Sequence, residues 1–203
     1  WEHNNSKWHL EYRMSTLTLK ELSAPTGEVI KIAAGKTLDL KSQGTTTLPT
    51  GSVLQVKNVT LGTIVTTSAA IPFDNTIPQI GEGAEAFTLS ITPISATSKL
   101  YIRAYSGCMG CSTNNRQVIL SLFKDTTANA LTCALGGFQA AGTAEMAVDL
   151  THFMTAGTTN AITFRVRFGA NDSGSASLNG NPGDGQRFGG SAATGMTIME
   201  IQG

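Results

Sequence analysis

Asn160-Ala-Ile-Thr-Phe-Arg-Val-Arg-Phe168 is the segment in which apolar and polar side chains alternate most regularly. The two kinds of residue fall on opposite sides, with Ile162, Phe164, Val166 and Phe168 on one and Thr163, Arg165 and Arg167 on the other. Alternation with a period of two predicts an antiparallel strand that has one face on a core and the other in solvent. The apolar face of such a strand must be covered, so the segment predicts packed β-sheets.

Similar strand patterns recur along the chain on the N-terminal side of this segment. Ala86 to Thr92 and Lys99 to Tyr105 alternate in the same way, and Gln117 to Lys124 is more uniformly apolar, as expected of a central strand. Helical signals are scarce, and even Thr143 to Phe153 fits strand alternation as well as a helical turn. About seven or eight strands separated by turn residues predict an all-β fold, with an antiparallel β-sandwich or jelly-roll head over residues 51–203.

Residues 15–50 carry shorter apolar pairs, such as Ile30 with Ile32 and Leu38 with Leu40, separated by turn residues. Each pair is too short to bury a core within one chain. Identical copies that wrap around a common axis would share one apolar centre, so this region is predicted to be a short-strand stem of a trimer. A loosely ordered linker is the alternative.

Residues 1–14 are predicted to be an N-terminal extension that attaches to a partner. Trp1, Trp8 and Tyr12 are the candidate anchors, because aromatic side chains concentrate binding energy at interfaces. The segment lacks the apolar centre of a signal peptide. Met14-Ser-Thr-Leu-Thr-Leu19 reads like a natural start, so the residues before it are an upstream extension or an anchor segment.

Composition limits the classes of partner. Charged residues make up 14% of the chain, and 14 basic and 14 acidic residues give a net charge of zero. Nucleic-acid binding requires clustered Lys and Arg to neutralise phosphates, and no such cluster occurs in the sequence. No apolar run is long enough for a membrane-spanning helix. A net charge near zero removes one defence against self-association, which favours an oligomer.

Three segments resemble virion structural proteins of tailed bacteriophages. They are Leu48-Pro-Thr-Gly-Ser-Val-Leu-Gln-Val56, Leu89-Ser-Ile-Thr-Pro-Ile-Ser-Ala-Thr-Ser-Lys-Leu100 and Gly195-Met-Thr-Ile-Met-Glu-Ile201. The resemblance extends from Met14 to Gly203 and implies an alternating stem, a C-terminal β-sandwich head and a homotrimer. Proteins of this type are tail fibres, head fibres or receptor-binding proteins, and the resemblance supplies no catalytic residues.

The C-terminal segment is predicted to be a strand that is covered on both faces. Met196 and Ile198 fall on one face, and Met199 and Ile201 fall on the other. A lone sandwich covers only one face of each sheet, so these four residues are predicted to take part in an oligomer contact.

Cys108-Met-Gly-Cys111 has the two-residue spacing of metal sites and redox pairs. A zinc site would need two more ligands, and Cys133 and His152 are the nearest in sequence. A disulfide and plain reduced thiols are the other interpretations, and the sequence leaves the choice open.

Catalysis is poorly supported by the residue pattern. His152 is the only histidine of the predicted head, and no G-x-S-x-G motif occurs. The carboxylate pairs Glu82 with Glu85 and Asp172 with Asp184 are interpreted as solvated loop charges. We therefore expect a protein that is not an enzyme and uses no cofactor.

The longest irregular segment, Gly169 to Gly190, is rich in Gly, Asn, Ser and Asp. Polar loops at the end of a sandwich can hold a glycan through hydrogen bonds, so this loop is the candidate receptor-binding site. The candidate residues are Asn171, Asp172, Ser173, Asn179, Asn181 and Asp184.

The leading hypothesis is a trimeric phage tail fibre or receptor-binding protein that contacts the host surface and joins other virion proteins through its N-terminal segment. A capsid decoration or head-fibre protein, anchored to the shell by that segment, is the first alternative. A carbohydrate-binding module is the second.

Overall fold

A computed structural model describes residues 34–36, 48–137 and 145–203. The chain divides into two compact units, Trp1–Thr47 and Leu48–Gly203. The predicted anchors Trp1, Trp8 and Tyr12, and the predicted stem apart from residues 34–36 and 48–50, lie outside the described residues.

The described part of the second unit contains twelve strands and a short 3₁₀ helix at Phe188–Gly190. The strands are β1 Val53–Leu61, β2 Val65–Thr67, β3 Ala84–Ile91, β4 Lys99–Cys111, β5 Val118–Lys124, β6 Thr132–Leu135, β7 Met146–Thr155, β8 Ile162–Ala170, β9 Ala176–Leu178, β10 Gly180–Asn181, β11 Gly185–Gln186 and β12 Thr194–Ile201. In the described ranges, no helix is long and apolar enough to cross a membrane.

The strands form two sheets. In the first, β12 lies between β1 and β4, and β7 pairs with the other edge of β4, while the short strands β2, β9, β10 and β11 extend the far end of β4. The second has the order β3-β8-β5-β6. Neighbouring strands are antiparallel except for the single pairing of β10 with β4. The structure confirms the predicted all-β class, a sandwich of the jelly-roll kind.

Strand β8 contains the alternating segment and behaves as its pattern predicts. Phe164, Val166 and Phe168 are fully buried, and each contributes about 1.5–3 kcal/mol of hydrophobic stabilisation. They belong to one core cluster that includes apolar side chains of both sheets. On the opposite face, Arg165 forms an ion pair with Glu85 at 2.9 Å, and Arg167 donates hydrogen bonds to the carbonyl groups of Glu82 and Gly83.

The uniformly apolar segment near residue 120 forms β5, which lies between β8 and β6 and is buried from Val118 to Phe123. The ambiguous segment near residue 150 is strand β7 from Met146, so the strand interpretation is correct there.

The C-terminal strand β12 has hydrogen-bonded neighbours on both sides, but only one of its faces is covered within the unit. Met196 and Ile198 are fully buried in the core of their own sandwich. They are therefore not available for the predicted oligomer contact. Met199 and Ile201 lie on the other face and are half-buried.

The two ends of the sandwich differ. At one end, which we call the base, Gly51 and Gln202 are joined by a backbone hydrogen bond of 2.9 Å, so the chain enters the unit next to its last strand. At the other end, which we call the tip, β1 ends, β12 begins and the long segment 171–193 lies between β8 and β12.

Glu200 is a fully buried carboxylate near the base. It accepts hydrogen bonds from Gln55 Nε2 at 2.6 Å and from the backbone N–H groups of Ile94 and Ser95 at 2.8 and 3.3 Å. Burial by itself raises the pKa of this carboxyl, but the hydrogen bonds outweigh burial, and the pKa is lowered overall. The carboxylate therefore ties β12 to β1 and to the β3–β4 loop.

Replacing Ile198 with Asp should destabilise the protein by about 4 kcal/mol or more, because it places an unpaired charge in the core. Thr197→Asp is the matched control on the outer face of the same strand, opposite Arg103, and should cost about 1 kcal/mol or less. Urea unfolding measures both. Equal losses for the two variants would contradict the assignment of faces.

Glu200→Gln should lower the stability at neutral pH by about 2 kcal/mol, because it removes charge-assisted hydrogen bonds. The folded-state pKa lies below the unfolded value of about 4.3, so the stabilisation is present above that value and is lost as the pH falls through the folded pKa. The difference between wild type and variant should therefore shrink on acidification. Unfolding curves that differ by the same amount from pH 7 to pH 3 would argue against this role.

Candidate functional site at the tip of the sandwich

The long segment at the tip is folded onto the first sheet and is not a free loop. It contains β9, which pairs with β2 and β4, and the small hairpin of β10 and β11. Gly180 in this hairpin has no room for a side chain, because a Cβ atom there would collide with the backbone of Gly185. Only part of the predicted receptor-binding loop is therefore exposed.

Asn179 is the central hydrogen-bonding residue of the tip and is fully buried. Its Nδ2 donates to the carbonyl groups of Leu61 and Thr63 at 2.8 and 2.7 Å, and its Oδ1 accepts a bond from Thr194 Oγ1 at 2.7 Å. The backbone N–H of Asn179 also donates to the carbonyl of Cys108. Asn179 thus joins the ends of β1, β4 and β12 and is not accessible to a receptor.

Asn181 is also buried, and its Oδ1 accepts a hydrogen bond from the backbone N–H of Gly183 at 3.0 Å. Its role is to hold the β10–β11 hairpin. Of the predicted receptor-binding residues, Asn179 and Asn181 are therefore structural supports.

The remaining predicted residues lie nearer the surface. Asn171 accepts a hydrogen bond from the backbone N–H of Gln117 at 2.9 Å. Asp172 and Ser173 are exposed, and Arg116 of the β4–β5 loop contacts both of them. Arg116 forms an ion pair with Asp172 at 3.3 Å and donates a hydrogen bond to Ser173 Oγ. Asp184 is exposed as well. The accessible part of the predicted site is thus Asp172, Ser173 and Asp184.

Arg187 fixes the second half of the long segment. It forms ion pairs with Glu145 at 2.7 Å and with Asp184 at 2.9 Å, and the hydrogen bond to Glu145 is the main reason that its pKa is raised. The backbone N–H of Arg187 donates to the carbonyl of Asn179 at 3.0 Å. The start of the short 3₁₀ helix is therefore held to the buried part of the tip.

Phe188 follows Arg187 and is 78% exposed, with a backbone φ of +49°. Left-handed backbone is rare for a bulky residue and costs free energy. The sequence interpretation missed this residue. Its signal is a lone aromatic side chain followed by Gly189 and Gly190 in an otherwise polar segment.

The cysteines are free thiols in the structure, so they form no disulfide there. Cys108 and Cys111 are buried in strand β4, whereas Cys133 is exposed. Burial is the main cause that raises the pKa of the Cys108 thiol. Among the residues that the structure describes, no group of three or more His, Cys, Asp or Glu side chains is placed to hold a metal ion.

The other residues considered for catalysis occupy separate places. His152 is half-buried in β7 opposite Ile102, and burial lowers its pKa. Glu82 accepts a hydrogen bond from the backbone N–H of Gln79, while Glu85 is paired with Arg165. The acidic candidates therefore take part in local structural contacts.

The outer face of the first sheet is apolar toward the base. Val56, Met199, Tyr101 and Phe153 lie opposite one another across β1, β12, β4 and β7. The next row toward the base carries Val53 and Ile201 on β1 and β12, and the hydrogen-bonded pair Lys99 and Thr155 on β4 and β7. Val53, Val56 and Phe153 are 51, 52 and 58% exposed.

Toward the tip, the same face becomes polar, with Asn58, Thr197, Arg103 and Thr151 opposite one another. The half of this outer face that lies nearest the base is called the apolar half-face. It carries Val53, Val56, Tyr101, Phe153, Met199 and Ile201.

A shallow apolar groove runs beside β6, at the edge of the second sheet. Residues that line it include Phe73, Pro78, Cys133 and Leu135. Phe73 is 63% exposed.

No protein-family model matches the sequence, and no curated protein matches it. Several solved structures are similar in general architecture. The Eiger TNF of S. frugiperda has a TM-score of 0.34 at 10% identity, over 72% of this chain and 92% of the other. The VP2 subviral particle of infectious bursal disease virus has a TM-score of 0.37 at 15% identity, over 83% of this chain and 37% of the other.

The xylan-binding domain CBM22-1 of Paenibacillus barcinonensis Xyn10C has a TM-score of 0.34 at 9% identity, over 77% of this chain and 99% of the other. These similar structures thus include a viral structural protein and a carbohydrate-binding domain. Values this low carry no argument about function.

Asn179→Asp should destabilise the protein by about 2–4 kcal/mol. The change keeps the shape of the side chain but replaces the donor that faces two carbonyl oxygens with an acceptor. Asp172→Asn, at an exposed position of the same segment, is the control and should have little effect. Thermal unfolding measures both, and an Asn179→Asp variant as stable as wild type would show that Asn179 does not organise the tip.

Proposed function

We propose that this chain is a non-enzymatic structural protein of a virus particle, a trimeric tail fibre or spike whose tip contacts the surface of the host. The observation that carries this proposal is the polarity of the second unit. The chain enters at the base, beside Gln202, while the long segment and its exposed charged and aromatic side chains are at the opposite end.

This polarity suits a protein that is attached at one end and recognises a surface with the other. Residues 1–47 join the unit through Leu48 at the base, and Trp1, Trp8 and Tyr12 remain the proposed anchors to other virion proteins. The tip is rigid because Asn179 and Arg187 tie its segments together. Rigid presentation lowers the entropic cost of binding.

The apolar half-face is the proposed contact between copies of the chain. It has three large apolar side chains that are more than half exposed on one face of one sheet, and clustered exposed apolar surface marks interaction sites. It lies on the half of the sheet nearest the base, where the chain enters the second unit beside its last strand. The polar half of the sheet, toward the tip, would remain in solvent.

A trimer explains how weak recognition becomes firm attachment. Three identical tips on one rigid assembly raise the effective concentration of binding sites without any new contact, and avidity gains of about 10²–10⁴ are typical. The function would then depend on the geometry of assembly as much as on each site.

Val56→Asp should convert the trimer into a monomer that is folded normally, because Val56 is exposed in the single unit. Binding of the labelled full chain to host cells should fall by about 100-fold as avidity is lost. Thr88→Asp, on the exposed face of the second sheet, is the matched control and should change neither property. Light scattering on a sizing column and flow cytometry measure the two effects.

A wild-type chain that is a stable monomer would overturn the fibre proposal. A trimer that binds no host cell, and that microscopy of particles with a bound antibody fragment places over the capsid shell, would instead support a decoration protein.

A further inference from the structure

Phe188 is the only large hydrophobic side chain exposed within residues 171–193. Its exposed fraction of 78% means that the ring contributes little to the core. Hydrophobic stabilisation of the unit therefore does not explain why an aromatic residue occupies this position.

The backbone around Phe188 is held in an unfavourable conformation. With φ of +49°, the residue is in a region that glycine or asparagine adopts at much lower cost. The carbonyl of Phe188 accepts hydrogen bonds from Ser191 Oγ at 2.6 Å and from the Ser191 N–H at 3.1 Å. On the other side, Arg187 is fixed by Glu145 and Asp184. The surrounding structure thus holds an aromatic ring in solvent at a cost in stability.

The surroundings of the ring indicate the chemistry of a ligand. Asp184, Gln186 and Ser191 are exposed polar residues within four positions of Phe188. The centre of a contact between proteins is depleted in charged residues, whereas the charged residues Asp184 and Arg187 lie within four positions of Phe188. A lone ring among hydrogen-bonding groups instead fits a ligand that has a small apolar face and a polar rim.

A sugar ring has this character, because its C–H groups form an apolar face and its hydroxyl groups form hydrogen bonds at the edge. A nucleobase also stacks on aromatic rings, but binding of a nucleic acid strand uses a positively charged groove. Arg187 is already neutralised by two carboxylates, and the chain has no net charge. The observations favour the sugar.

We infer that Phe188 is the stacking platform of a saccharide-binding site at the tip, with the exposed side chains of Asp184 and Gln186 as hydrogen-bonding partners for sugar hydroxyl groups. This inference rests on the proposed function and identifies its ligand class. The left-handed backbone at Phe188 then keeps the ring away from the rest of the protein surface, where it can stack on a sugar. The loss of stability that this backbone causes is offset by the binding function.

The test compares Phe188→Gly, Phe188→Trp and Phe73→Ala in the full chain. Phe188→Gly should lower binding to an oligosaccharide array of hexoses, deoxyhexoses and N-acetylhexosamines by about tenfold or more. The same variant should be at least as heat-stable as wild type, because glycine adopts a positive φ without steric cost. Phe188→Trp should retain binding. Phe73→Ala, which removes another exposed ring, should leave it unchanged.

Glycan binding that survives in Phe188→Gly would overturn the inference and leave the proposed receptor function intact. A wild-type chain that binds host cells but no saccharide on the array would overturn the carbohydrate class, while loss of cell binding in Phe188→Gly would then indicate a protein receptor. Loss of stability together with binding in Phe188→Gly would assign Phe188 a structural role and would also overturn the inference. A wild-type chain that binds neither cells nor glycans would overturn both proposals.

Discussion

The pairing of β12 with both β1 and β4 is the interaction on which the rest of the second unit depends. It joins residues near 55 to residues near 200, and the buried carboxylate of Glu200 adds hydrogen bonds from both sides of the strand's end. Long-range pairing of this kind loses the entropy of loop closure before its contacts can form. The core between the two sheets is therefore complete only when the last strand is in place.

The tip is built on this arrangement. Asn179 bonds to carbonyl groups at the end of β1 and just after it, and to the first residue of β12, so the long segment is fixed by the same strands that close the sheet. Arg187 then extends the fixed region to the place where Phe188 projects. The proposed recognition surface is thereby built on rigid elements, which would favour preorganised binding.

Much of the fold could be predicted from alternation alone, because the period-two pattern of residues such as Phe164 and Val166 reflects direct burial against a core. The sequence could not show which face of β12 is covered by its own sandwich, since Met196 and Met199 are chemically alike. It also could not separate the buried Asn179 from the exposed Asp172, because Asn179 Nδ2 donates to carbonyl groups of residues more than a hundred positions away. Phe188 was missed because its positive φ is a property of the folded backbone.

The hydrogen bond between Gly51 and Gln202 places the first and last strands of the unit side by side at the base. Both ends of the range 48–203 therefore lie at the base, away from the segment between β8 and β12. A change at the ends of this range and a change in that segment thus act on opposite ends of the sandwich.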